Sequence, residues 1–309
     1  MFNCASEDSF HVGDVLELVP FTNEEKTEYF NRFGGLHHPN FNLHDFGTAK
    51  SKLSGYFFQD STEGPHFGTM IFEARTVITA MRLMKKGMVG ALTVHYHADC
   101  PPLRTPSGGT VLGDFRLPQF VQDPYLVTKE DVVPLISLAN TLRQNLSSKL
   151  KNLNVALNRF NLSYSRGNPN DRLLDQTIAL ESCLLAGGAP TEEITYKFSL
   201  RGSAILSHLK DPVDANAFLR YVYRLRSAIV HEGKSIFDDD KKLAPPKIGG
   251  KSLDRGKVTE VCEDYTRLIV KEYVARLLAG DPIEKVNADL DSQVVSALRF
   301  VGKVPDRAN

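Results

Sequence analysis

From Thr128 to Phe160 the apolar residues fall at intervals of three and four: Leu135, Leu138, Leu142, Leu146, Leu150, Leu153, Leu157 and Phe160. On an α-helix that spacing gathers them on one face, whereas a strand alternates with period two and would scatter them over both. The stripe therefore predicts one long helix or two nearly continuous ones. Thr128, with Asp131 three residues on, reads as its capping box, Asp standing in for Glu. A helix with a single apolar face must bury it against other helices.

The segments that follow supply those partners. A break at Gly167-Asn168-Pro169-Asn170 precedes a helix bearing Leu173, Leu174, Ile178, Leu180, Leu184 and Leu185, which Gly187-Gly188 ends. Thr191 caps the next, with Glu192 and Glu193 at its positive end, and it runs through Phe198, Ile205 and Leu209. Pro212 opens another, with Phe218, Val222, Leu225, Ile229 and Val230 on the apolar side and Gly233 as the stop. Residues 234–253, rich in Lys, Asp, Pro and Gly, read as an exposed loop. A helix over 254–279 and a last one opened by Asp281-Pro282-Ile283-Glu284 complete a bundle of five to seven helices.

Residues 1–127 follow a different pattern. Asp14–Val19, Gly55-Tyr56-Phe57-Phe58, Gly68-Thr69-Met70-Ile71-Phe72 and Val89–His97 read as short strands, with one helix over 74–86. The fold class expected is α+β: a mixed or mainly β domain over 1–127, of unread role, followed by an all-helical domain over 128–309.

Composition narrows the function. The 37 basic residues match the 37 acidic ones, so a protein that coats duplex DNA through many phosphates is not expected, and any nucleic-acid contact should be local. Four dispersed cysteines without a CxxC pair suggest neither a disulfide framework nor a thiolate zinc site. The first residues lack a basic and an apolar region, and no apolar run reaches membrane-spanning length, so a cytoplasmic protein is expected.

The string that carries chemistry is Tyr223-Arg224-Leu225-Arg226-Ser227-Ala228-Ile229-Val230-His231-Glu232-Gly233. Its Arg-x4-His spacing, Arg226 to His231, resembles the signature of HEPN domains. Asp171–Glu181 looks like the first helix of the Apea-like HEPN group, and Lys197–Leu206 like its second. The three segments stand in family order over about 169–234. One departure is Glu232, which stands between the motif His and Gly233, where the group commonly has Gly directly after the His.

The resemblance implies metal-independent RNA cleavage at a site built by two subunits, with Arg226 and His231 as the catalytic pair. Ser227, Tyr223, Glu181, Asp175, Arg201 and Arg224 are the supporting or RNA-binding residues, Glu181 and Asp175 being expected to orient Arg226 or Arg201. No metal and no cofactor are implied. The partners implied are RNA with exposed loops, such as tRNA anticodon loops, a second copy of the chain, and a phage or cellular trigger protein, as in a toxin-like phage-defence effector.

Elementary chemistry agrees. RNA carries its own nucleophile, the 2′-OH; cleavage needs a base, an acid for the leaving 5′-oxygen, and positive charge at the phosphorane. Histidine serves either proton task near neutral pH, and arginine offers a permanent charge with a fork of donors. Five residues along a helix is about 140° of rotation, so one chain aligns Arg226 and His231 poorly, and a two-fold axis beside the helix brings His231 of one copy toward Arg226 of the other. Tyr223 could stack on a base.

Other readings stay open. Arg220, Arg224 and Arg226 could form a solvated or Glu181-paired face; the domain could be an inactive scaffold that binds RNA or protein; or an enzyme could reside in 1–127 with the helical half serving to dimerise. His95, His97, Asp99 and Cys100 could hold zinc but read better as surface residues, as do His37, His38 and His44. Asp238-Asp239-Asp240 reads as a solvated charge run rather than a magnesium site. No GxxxxGK[ST] or GxGxxG occurs.

Overall fold

The computed structural model describes residues 4–5, 10–12, 16–20, 47–51, 67–87, 89–90, 125–145, 151–186 and 194–301. The chain divides into two compact units, Met1–Ser147 and Ser148–Asn309. No described helix is long and apolar enough to cross a membrane.

The first unit holds strands β1 (Cys4–Ala5), β2 (Phe10–Val12), β3 (Leu16–Pro20), β4 (Gly47–Ser51) and β5 (Tyr125–Leu126), with helices α1 (Phe67–Met84) and α2 (Lys129–Asn145). β2, β3 and β4 form an antiparallel sheet in which Leu18 stands opposite Phe10 and Ala49, and β1 pairs with β5 in parallel. The mainly β expectation is not what these residues show: the longest strand has five residues and the two helices 18 and 17.

Gly68–Phe72, expected as a strand, is the first turns of α1. Its β-branched and aromatic residues favour strands only weakly, and helical burial of Val77, Ile78 and Met81 decides the conformation. Thr76 and Thr79 return their hydroxyls to the carbonyls four residues back, at 2.8 Å each. Buried Arg82 donates from Nε to Val89 O at 2.9 Å, and Tyr125 from its hydroxyl to Met81 O at 2.8 Å. Asp131 accepts from Thr128 N at 2.8 Å, as the capping box requires, and also pairs with Lys85. Of the predicted helical stripe, α2 lies in the first unit. Gly55–Phe58, residues 91–97, the candidate histidines His37, His38, His44, His95 and His97, and Gly187–Glu193 lie outside the described residues.

The second unit is helical: α3 (Lys151–Ser165), α4 (Pro169–Leu184), α5 (Ile194–Leu206), α6 (Pro212–Glu232), α7 (Val258–Leu278) and α8 (Ile283–Val301). α3 packs along α4, α5 along α6, and α7 crosses behind α4 while α8 lies on α5. Phe160, Leu173, Leu180, Phe198, Phe218, Val222, Leu225, Ile269 and Tyr273 are fully buried. Each such aliphatic or aromatic side chain contributes roughly 1.5–3 kcal/mol. Between α5 and α6 the helices approach closely at Gly202, where an added Cβ would come within 2.5 Å of Leu219 Cδ1.

The ends of α4 and α6 follow the sequence. Asn168 accepts from Asn170 N at 2.8 Å before Pro169, and Asp211 accepts from Val213 N and Asp214 N at 2.9 and 3.0 Å before Pro212. α6 ends at Gly233, whose φ of 66° only glycine adopts without cost.

Residues 234–257 are more than the exposed loop expected. Ile236 and Leu243 are buried, with a 3₁₀ turn at Lys241–Leu243, a hairpin of β6 (Lys247–Ile248) and β7 (Lys251–Ser252), and a second 3₁₀ turn at Arg255–Lys257. We call this segment the strap.

Candidate functional site

Of the motif's two residues, Arg226 faces α4. Arg226 Nε lies 3.5 Å from Glu181 Oε1 on α4, and both side chains are about a quarter exposed. That Nε is itself buried and makes no hydrogen bond with any described residue. Glu181 holds the guanidinium near by charge, and no described residue accepts a hydrogen bond from it.

Burial raises the Glu181 carboxyl above its ordinary value, against the pull of Arg226. Desolvation thus outweighs the attraction of the neighbouring cation. Tyr223 is half-buried, with its ring 5.2 Å from that of Phe198 on α5. Burial raises its phenol, helped by Glu181 and opposed by Arg226. Glu181, Tyr223 and Arg226 therefore form one cluster joining α4 and α6.

His231 stands elsewhere on the helix. It is exposed, in the last turn of α6, and makes no hydrogen bond with a described residue. α6 continues unbroken through Glu232, so the five residues from Arg226 to His231 span about 140° and about 7.5 Å of rise. Glu232, after His231, extends the helix by a residue before Gly233 ends it. Arg220 and Arg224, exposed and without ion pairs among the described residues, lie with half-buried Ser227 and with His231 at intervals of four, three and four, on one stripe. Arg226 lies off that stripe, toward α4.

Two expected supporting residues belong to the scaffold. Asp175 is buried, and its carboxylate takes Arg159 Nη1 at 2.9 Å and Arg166 Nε at 2.6 Å, tying α3 and its C-terminal turn to α4. Arg201 is buried and pairs with Asp291 on α8 through Nε and Nη2, each at 2.7 Å, while Nη1 donates to Leu184 O at 2.5 Å. Neither Asp175 nor Arg201 meets Arg226. Glu181, the other carboxylate expected to orient an arginine, does. Asp238, Asp239 and Asp240 face separate partners: Ser235 N, Arg255 and Lys234. Cys183 and Cys262 are buried free thiols; burial pushes Cys262 up to about 12 and Cys183 upward as well, which suits packing and not nucleophilic attack.

Sequence reasoning missed what holds the end of α6. Lys234, one residue past the helix stop, reaches Glu232 and Asp240, both at 2.7 Å. Asn170 at the start of α4 accepts from Ile236 N at 3.0 Å. Arg255 donates to the carbonyls of Ile236 and Asp238. The strap thereby fixes the turn that carries His231. Its sequence signals were isolated apolar residues, among them Ile236 and Leu243, without a helical or strand period.

Comparison of the chain with protein-family models, with curated proteins and with solved structures finds no match to any of the three.

Proposed function

We propose that the second unit is a HEPN-type ribonuclease domain that cuts RNA without a metal, Arg226 and His231 acting from two copies of the chain. The observation that carries the reading is the disposition of these two side chains. Arg226 is held beside Glu181 with no described residue accepting a hydrogen bond from it, and His231 is exposed in the next turn on a different face of the same unbroken helix. In a two-fold pair, each exposed His231 meets the partner's guanidinium. Arg226 then takes the non-bridging phosphate oxygens and neutralises the phosphorane. His231 moves the proton between the 2′-OH and the leaving 5′-oxygen.

Substrates of this reading are RNAs with exposed loops, and a toxin-like defence role with a trigger protein follows from the same resemblance. One observation favours a second reading, a scaffold that binds RNA or protein without cutting it: no described residue of the protomer hydrogen-bonds the His231 imidazole. Incubation of the pure protein with tRNA in EDTA separates the two. Cleavage that disappears in Arg226→Ala and His231→Ala supports the enzyme; intact RNA bound by all three proteins supports the scaffold.

A further inference from the structure

The strap runs the length of α6. At one end Asp240 is tied to Lys234 beside the His231 turn; at the other, Gly249 N donates to Asp214 Oδ2 in the first turn of α6, at 2.6 Å. From Asp214 to Glu232 the helix rises about 27 Å. Both the Lys241–Leu243 turn and β6 pack on α6 along this path.

Charge along the strap is sorted. Its acids are all engaged: Asp238 and Asp254 accept backbone N–H groups at 2.8 and 2.9 Å, Asp239 faces Arg255, and Asp240 holds Lys234. Five of its lysines, Lys241, Lys242, Lys247, Lys251 and Lys257, are exposed; Lys242 lies beside Asp240, and the other four pair with no described residue. Phe237 stands among them with 57% of its surface exposed. On α6, Arg220, Arg224 and His231 share an exposed stripe about 80–120° around the helix from Asp214 and Glu232, where the strap is tied. Over residues 234–257 seven lysines and arginines stand against four aspartates, so the neutral chain has a local basic excess here.

Unpaired lysines along a rigid support, joined to an exposed aromatic ring, suit a single strand of nucleic acid: the ammonium groups follow successive phosphates without reading sequence, and the ring stacks on a base. We propose that the strap is a docking rail for single-stranded RNA that delivers the strand along α6 to the His231 turn. As a route to a cleavage site it rests on the ribonuclease reading; as a binding surface it stands on the strap alone.

The test uses the full chain and an oligouridine with 2′-O-methyl riboses, which cannot be cut by 2′-OH attack, titrated by fluorescence anisotropy at several salt concentrations. Wild type should bind with a strong salt dependence. Lys247→Gln, Lys251→Gln and Lys257→Gln together should weaken binding about tenfold at low salt and flatten the log–log salt slope by about 0.7 per lost phosphate contact. Phe237→Ala should weaken binding with the slope unchanged. Lys151→Gln with Lys271→Gln, equally exposed on α3 and α7, should stay within about twofold of wild type. Wild-type affinity and slope in the strap variant would overturn the proposal, as would binding to phosphatidylserine vesicles but not to RNA. If wild type cuts unmodified RNA while the strap variant binds normally, the rail falls and the ribonuclease stands. If the strap variant loses binding in a protein that cuts nothing, the rail stands and the ribonuclease falls.

Discussion

Asp175 and Glu181 sit six residues apart on α4 and carry the same functional group, yet they have opposite surroundings. Asp175 receives two arginines, and its amide replacement should cost stability. For Asp175→Asn we expect a loss of about 1–3 kcal/mol, discounted because Arg159 and Arg166 are each more than a third exposed, read as a lower midpoint in urea. Glu181 is the reverse case. Its carboxyl is raised above the ordinary value, so the folded state holds the proton more readily than the unfolded chain, and its burial penalty is absent below about pH 4 and grows as pH rises through the raised value. Glu181→Gln should therefore melt at or above the wild-type temperature at neutral pH, with the difference closing in acid, while RNA cleavage slows because Arg226 loses its neighbour. A variant that melts well below wild type at pH 7 and tracks it at every pH would mean that the ion pair stabilises the fold. The sequence put both carboxylates forward and could not separate them. Their partners are fixed by how α3 and α6 rotate against α4, which one helix's periodicity does not state.

At the scale of elements, helices were legible where amphipathic spacing and caps agree. Asn168-Pro169, Asp211-Pro212 and Gly233 are ends that local chemistry dictates, and α4 and α6 begin and end there. α1 was misread at Gly68–Phe72 because five residues, three of them β-prone, are too few to show a period, and burial of the following turns settles the conformation. The strap was illegible because a 3₁₀ turn, a two-residue hairpin and side chain to backbone bonds leave no periodic trace. The α5–α6 contact carries its own prediction. Leu219 is fully buried, so it cannot swing away from a methyl group at position 202. Gly202→Ala should destabilise by about 1–2 kcal/mol, overpacking exceeding the gain in helix propensity. A higher denaturation midpoint would mean that the two helices separate more easily than their packing implies.

For the whole molecule, neutrality conceals an uneven division: Ser148–Asn309 carries 25 lysines and arginines against 21 acids, and Met1–Ser147 12 against 16. The basic side of that division holds the candidate site and the strap. In the proposed mechanism Arg226 and His231 act from two copies, so light scattering at micromolar concentration should return twice the mass of a 34.4 kDa chain; a monomer would leave the scaffold reading. His231 is exposed at a helix end, where substitution costs on the order of 1 kcal/mol or less, so its loss should separate activity from stability.

The most direct measurement is therefore cleavage of tRNA by wild type, Arg226→Ala and His231→Ala in EDTA, with melting temperatures recorded for all three and product ends identified. Wild type should cut and leave a 2′,3′-cyclic phosphate or its 3′-phosphate, RNA methylated at the scissile 2′-O and single-stranded DNA should stay intact, and both variants should be inactive while His231→Ala melts within a few degrees of wild type. Cleavage of single-stranded DNA, activity that needs added magnesium, or cleavage undiminished in His231→Ala would contradict the proposed mechanism.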